Sequence, residues 1–423
     1  MPSLTLHNIE LQAGLLSVLL LCAAVWPCRA GGTVTHPFTL PEAPDLTLAD
    51  VVKTTFQRNP TLQVLQARMD EAAAIRRQAD SLIAGDAALQ VRHNTGQVGN
   101  VEGLREWEWG VELPLWLPGQ RDARRDVADK RQRSATLSER ALRLTIAGRV
   151  RELLWTLRRD RNRSLLAREA WQSARGLEND VERRVQAGEL ARLDLVLARQ
   201  ETLDRQDTYL QARAALQQYY HRYRILTGLD RIPAVVREPL SAARGVDAGH
   251  PALASTMADV AAEQAARDRA KTERRDNPTL FVGTRHERAN ATAAFENTLG
   301  ISLRVPFGLP SQSAPRVAAA ETSLAESRMQ RDLMKRRLDM ALQQASDELA
   351  STRATLAVVR DQADLARENL KLIQRSFDLG ESDLFQFLQV QARAFRAELK
   401  LRQSEIALQA DIARYNQAVG IIP

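Results

Sequence analysis

Two hydrophobic patterns organise this chain, and each occurs twice. Apolar Trp107, Trp109, Val111 and Leu113 alternate with Glu106, Glu108, Gly110 and Glu112. Farther on, Leu299, Ile301, Leu303 and Val305 alternate with Thr298, Gly300, Ser302 and Arg304. A period of two predicts strands with one apolar and one polar face. A weaker partner precedes each: Leu89, Val91 and His93 in the first case, Leu280, Val282 and Thr284 in the second. The Gly- and Asn-bearing stretches Asn94 to Gly103 and Arg288 to Thr292 join each pair as a hairpin.

Each strand pair leads into a stretch that no further proline interrupts, from about Gln120 to Gln186 and from about Pro315 to Leu379. As helices these would run on the order of 100 Å at 1.5 Å per residue. Such lengths belong to bundles or coiled coils. The second stretch carries a seam at Leu338, Leu342, Ala345, Leu349, Leu356, Val359, Ala363, Leu370, Ile373 and Phe377, spaced three and four apart with a few sites skipped. This is the period of helices that supercoil around one another. Phe385, Leu388, Ala392, Phe395, Leu399 and Ile406 continue it beyond a break at Gly380-Glu381, and the first long helix breaks similarly at Gly188-Glu189.

The whole order is a duplication. Asn59-Pro60-Thr61-Leu62 and His250-Pro251-Ala252-Leu253 each open onto an Ala-rich helical stretch, followed by strand pair, long helix, Gly-Glu break and second helix. From the breaks to the endings, where Tyr223 and Gly228 answer Tyr415 and Gly420, the offset is a constant 192 residues. A period this long indicates a doubled structural half rather than a solenoid unit. The chain therefore divides into a first repeat over 31–228, a linking segment over 229–249, and a second repeat over 250–423. The fold class is mainly α with a small β part.

Two-stranded hairpins are marginal in water, and long helices already packed on one another leave nothing to cover the apolar strand faces. A transmembrane barrel resolves this, with lipid on the apolar face and a lumen on the polar one. Trp107, Trp109 and Trp116 suit an interfacial aromatic belt, with ordinary core packing as the competing reading. Four strands per chain are too few to close a barrel, so the barrel must be shared within a cyclic homo-oligomer.

Composition narrows the field. The 423 residues carry a net charge of +7, but 26% are charged with both signs interleaved, as in Arg131 to Glu139. That is solvated helix surface rather than a nucleic-acid patch. Residues 1–30 resemble an export signal: Ala13 to Trp26 is apolar save Ser17, and Cys28-Arg29-Ala30 offers a small-x-small cleavage site, although no Lys or Arg precedes the apolar core. Both cysteines, Cys22 and Cys28, lie there, so cleavage after Ala30 leaves no thiol. Lipidation at Cys22 is disfavoured by the bulky Leu19-Leu20-Leu21 before it. His7, His36, His93, His221, His250 and His286 show no metal-ligand spacing. No phosphate loop, nucleophile elbow or paired-His helix is present, and no cofactor is expected.

The duplicated arrangement resembles the TolC family of outer-membrane efflux proteins. The resemblance is carried by Asn59-Pro60-Thr61-Leu62, Gly110-Val111-Glu112-Leu113-Pro114-Leu115-Trp116, Pro118-Gly119-Gln120-Arg121, Gly300-Ile301-Ser302-Leu303-Arg304-Val305-Pro306-Phe307, the two breaks and the two Gly endings. It spans roughly residues 45 to 423. It implies a homotrimer whose twelve strands form an outer-membrane barrel, with a helical tunnel of twelve helices extending into the periplasm. It also implies docking to a periplasmic adaptor and an inner-membrane pump of the RND type, in a passive duct that is not an enzyme. Compact length without a lipid box is similar to the heavy-metal cation-efflux (CzcC-like) branch; drug or small-molecule efflux is the alternative. A periplasmic coiled-coil scaffold or adaptor is the rival of another class.

The resemblance places the periplasmic gate at Gly188, Glu189, Gly380 and Glu381. The positions matching the family's acidic ring are Gln386 and Gln389, both uncharged. Asp383 is the substitute candidate, with Asp194 and Glu189 in the first repeat. Helix capping is the competing role for Asp383.

Overall fold

The computed structural model describes residues 39–96 and 103–423. The signal-like segment, both cysteines and the middle of the first hairpin loop lie outside the described residues. In chain order the elements are β1 (Glu42–Ala43), α1 (Leu48–Gln57), α2 (Thr61–Asp80), β2 (Ala88–Thr95), β3 (Arg105–Pro114), α3 (Gln120–Gln186), α4 (Arg192–Thr227), β4 (Ile232–Pro233), α5 (Pro251–Thr272), β5 (Thr279–Arg288), β6 (Glu296–Arg304), α6 (Pro310–Asp378) and α7 (Leu384–Ala418). The order α2-β2-β3-α3-α4 recurs as α5-β5-β6-α6-α7.

The helices α3 and α6 have 67 and 69 residues. The second begins five residues earlier than proline placement alone predicts. Pro310 occupies its first turn, where a missing N–H costs nothing, and Pro315 forfeits a single intrahelical bond farther in. The second hairpin turn also begins later than expected, because β5 keeps pairing through Glu287 with Glu296.

Packing is by antiparallel helix pairs. α3 pairs with α4 and α6 with α7, while α5 wedges between α3 and α6, and α7 also touches α3. The α6 seam is as its spacing predicts: Ala345, Leu349, Leu356, Val359, Ala363 and Phe377 are buried, and Leu338, Leu342, Leu370 and Ile373 half-buried. The α7 seam differs by one residue. Over the stretch 384–406, Leu384, Phe387, Gln391, Ala394 and Leu401 are the buried positions, whereas Phe385 is exposed and Leu388, Ala392, Phe395, Leu399 and Ile406 are half-buried. Two adjacent stripes of α7 are apolar, and the buried one is disguised by a glutamine. Gln391 reaches α3, where its Nε2 donates to Ser173 Oγ at 3.3 Å.

The two halves close in matching ways. Tyr223 and Tyr415 hydroxyls donate to the Arg231 and Ala243 carbonyls at 2.9 and 2.8 Å, fastening the connecting segment. Gly228 and Gly420 end α4 and α7 at φ of +73° and +85°. Each packs on the start of a repeat, Gly228 against Arg58 and Gly420 against His250 and Pro251.

Candidate functional site

All four long strands join one antiparallel sheet in the order β2-β3-β5-β6, leaving β2 and β6 as edges. The register stacks side chains in rows. Leu89, Val111, Val282 and Ile301 form one row, then Val91, Trp109, Thr284 and Leu299, then His93, Trp107, His286 and Asn297. These rows share a face because side chains alternate along each strand. That face is bare: Leu89 is 76% exposed, Leu299 72% and Ile301 68%. In water such an array of large apolar groups has no stabilising partner. Trp107 and Trp109 stand on it, and the His93 ring stacks on Trp107 at 3.9 Å between centroids.

Trp116 does not belong to the strand. It lies two residues beyond β3, its indole N–H donates to Ser81 O at 3.1 Å, and the Arg124 guanidinium sits 4.9 Å from its ring centroid. The Pro114 terminus ends the ladder, so Trp116 turns into the junction between sheet and helices. Gln120 and Asn277 tie the same junction through reciprocal amide bonds of 3.2 and 2.8 Å.

The opposite face is charged. Arg92 pairs with Glu108 at 3.0 Å, and Arg285 with Glu106 at 3.0 Å and more loosely with Glu108 and Glu287 at 3.8 Å. Gly110, Gly283 and Gly300 fall in one row across three strands. The Phe281 ring covers this row so closely that a Cβ on Gly110 would meet it at 2.5 Å. One sheet thus separates an apolar surface from a charged, ion-paired one.

At the far end of the helices both hairpins turn the same way. Gly188 and Gly380 adopt φ of +80° and +76°. In each, the N–H after the glycine reaches back into the last helical turn, Glu189 to Arg184 O at 2.8 Å and Glu381 to Ser376 O at 2.9 Å. This pairing satisfies carbonyls that a helix end otherwise leaves open. Asp383 caps α7, its Oδ1 accepting from the Gln386 N–H at 2.7 Å. Asp194 reaches back to the Ala191 N–H at 3.0 Å. Glu189, Glu381, Gln386 and Gln389 are exposed.

A cluster joins the two tips, bringing Phe377 of the α6 seam onto Val181, Ala198, Leu384 and Phe387, which hydrophobic spacing does not single out; the two phenylalanine rings stack at 5.2 Å. Just above the tips, α4 and α6 each keep an exposed apolar stripe. Val196, Leu203 and Leu210 lie 8, 15 and 22 residues after Gly188, and Leu372, Leu365 and Val358 lie 8, 15 and 22 residues before Gly380. The signal for it in the sequence is a second heptad on α6 beside the buried one.

Among the described residues no group of acidic, His or Cys side chains is arranged to hold a metal. No described helix is long and apolar enough to cross a membrane.

Residues 51–229 match the sequence model of the outer membrane efflux protein family. No curated protein matches the chain. Among solved structures it is similar to the Campylobacter jejuni CmeC outer membrane channel, with TM-score 0.70 and 15% identity over 88% of this chain and 85% of that one. It is similar to the outer membrane protein VceC of Vibrio cholerae at TM-score 0.70 and 15% identity, over 89% of this chain and 97% of that one. The open state of the Neisseria gonorrhoeae MtrE outer membrane channel gives TM-score 0.67 and 13% identity, covering 88% of each.

Proposed function

We propose that three copies of this chain, whose residues 51–229 match the outer membrane efflux protein family, build the exit duct of a tripartite efflux system. The observation that carries this is the sheet, with its bare apolar face, its ion-paired face and its two unpaired edges. Unpaired backbone groups in hydrocarbon cost several kcal/mol each, about enough to forbid an open edge. β2 of one copy therefore pairs with β6 of the next. Three copies supply twelve strands, comfortably above the roughly eight of the smallest barrels.

The helices extend the duct inward. Each copy contributes two hairpins, and the stripe on α4 meets the stripe on α6 of the neighbouring copy, since their rungs stand at equal heights above the tips. The hairpin ends at Gly188-Glu189 and Gly380-Glu381 form the periplasmic end, where an adaptor docks and an inner-membrane pump of the RND type delivers cargo. Asp383 serves there as a helix cap. The duct itself does no chemistry; cargo passes along the charged inner face.

The test is conductance of the purified protein in planar bilayers, after extraction from the outer membrane with detergent. Discrete channels from a trimer are expected; a monomer that stays soluble without detergent would sink the reading and leave a periplasmic scaffold. Heavy-metal cations are the cargo proposed first, by the resemblance to the cation-efflux branch. A deletion strain should lose tolerance to zinc, cobalt or cadmium. Sensitivity to drugs alone would move the assignment to small-molecule efflux.

A further inference from the structure

On the apolar face of the sheet, the row beyond Trp107 and His286 consists of Arg105 and Arg288, directly opposed in the register. They share that face because each lies two residues from its row neighbour along an alternating strand. The adjacent carboxylates, Glu106 and Glu287, fall on the other face and are engaged by Arg285. Like charges directly opposite each other destabilise a strand pair. Among the described residues neither guanidinium forms an ion pair. Arg288 lies over the Phe295 ring at 5.1 Å, and its buried Nε has no hydrogen-bond partner.

Depth gives the pair its meaning, and this step rests on the membrane reading above. The apolar face runs from the Trp107 and Asn297 row to Phe307, which is 92% exposed. The ten steps from Asn297 to Phe307 along β6 and its continuation span about 34 Å, or on the order of 26 Å along the axis at the usual strand tilt. An outward apolar band is typically about 25 Å tall. Trp107, His93 and His286 then mark its outer boundary, and Arg105 and Arg288 lie one row above it, at headgroup height. Two unpaired arginines side by side suit a phosphate, which accepts several N–H bonds at once.

We propose that Arg105 and Arg288 form a binding site for the phosphate of a phosphorylated lipid headgroup in the outer leaflet, one site per subunit on the outer rim of the barrel. The anion relieves the repulsion between the two guanidinium groups, so lipid binding and strand pairing reinforce each other.

The test titrates the full detergent-purified protein with diphosphoryl lipid A and reads binding by native mass spectrometry. R105Q/R288Q should bind about 25-fold more weakly, from roughly fivefold for each arginine near a charged headgroup. R105K/R288K should stay within a few-fold of the natural protein. Dephosphorylated lipid A should not distinguish the three proteins, and inorganic phosphate at matched concentration should not compete. Equal affinity of R105Q/R288Q and the natural protein overturns the site, and displacement by inorganic phosphate overturns its assignment to a lipid. Both proteins are also reconstituted in zwitterionic phosphatidylcholine. Failure of the natural protein to insert there overturns the membrane reading itself, whereas insertion with unchanged lipid A binding overturns this inference alone.

Discussion

A left-handed glycine is replaceable at a cost that its surroundings set. At Gly188 and Gly380 an added Cβ would have nothing within 4 Å, so alanine there adds only backbone strain, about 1–2 kcal/mol. At Gly420 the Cβ would meet the His250 ring at 2.7 Å and Pro251 at 2.9 Å, both stiff groups, so a further 1–3 kcal/mol, roughly, is expected from overpacking. Thermal unfolding should therefore rank G420A well below G188A; equal midpoints would contradict the close approach. The partner of Gly420 carries its own prediction. His250 is buried, and its Nδ1 accepts from the Ala252 N–H at 3.3 Å, a bond available only to the unprotonated nitrogen. Burial pushes its pKa below the usual 6.5, against the opposing pull of Asp247. The folded state thus prefers neutral imidazole. The stability it contributes is complete above the unfolded value near 6.5 and is lost as pH falls through the lower folded value. Heat stability should drop as the pH is taken below about 6.5, and His250→Asn, which keeps a capping oxygen, should flatten that drop. Parallel pH profiles for the two proteins would exclude His250 as the cause.

Among the elements, the connecting segment is clamped by a buried cation in addition to the two tyrosines. Arg151 of α3 is 3% exposed; its guanidinium holds Glu238 through bonds of 2.9 and 2.6 Å and also donates to Gln417 and to the Ile421 carbonyl. It therefore joins the long helix of the first half, the crossover and the end of α7. Removing one partner of such a pair strands the other charge, so R151M should cost about 3–5 kcal/mol, and R151M/E238L should recover most of it. Chemical unfolding of the single and double variants measures the difference; no recovery in the double variant would mean that the Gln417 and Ile421 bonds dominate. This clamp is not legible in the sequence, because Arg151 sits in an Arg-rich helix whose other arginines are mostly solvated. What can be read there is periodic. The strands are visible because each has one apolar and one polar face, and the α6 seam because its buried positions are nearly all apolar. On α7 the same rule misleads by one residue: Gln391 interrupts the buried stripe, while Leu388, Phe395, Leu399 and Ile406 keep an apolar stripe beside it that faces less of the chain. Residue type alone groups Trp116 with the strand tryptophans, although Pro114 has already ended the ladder. Asp383 is legible as a cap from its place before α7, and the bond to Gln386 is the one expected of it.

At the scale of the whole molecule, a single chain leaves three sets of groups unsatisfied: two sheet edges, the apolar sheet face, and the paired stripes on α4 and α6. Lipid can cover the face but cannot pair the edges, and water suits neither the face nor the stripes. Self-association answers the edges and the stripes together, and the stripes allow the two to be tested apart. Val196, Leu203 and Leu210 match Leu372, Leu365 and Val358 rung for rung, so in the proposed assembly Leu203 of one copy faces Leu365 of the next. A glutamate at 365 would be buried there without a partner, at on the order of 3–5 kcal/mol per interface. Within one chain Leu365 is 66% exposed, so the protomer should fold with unchanged helical content. L365E should accordingly run as monomers or loosened trimers in detergent, by light scattering and by cross-linking. L203K alone should do the same. Combined in one chain as L203K/L365E, the two opposite charges meet across every interface and should restore the trimer. If both single variants assemble as well as the natural protein, the stripes do not face one another, and the helices of neighbouring copies must meet along some other side.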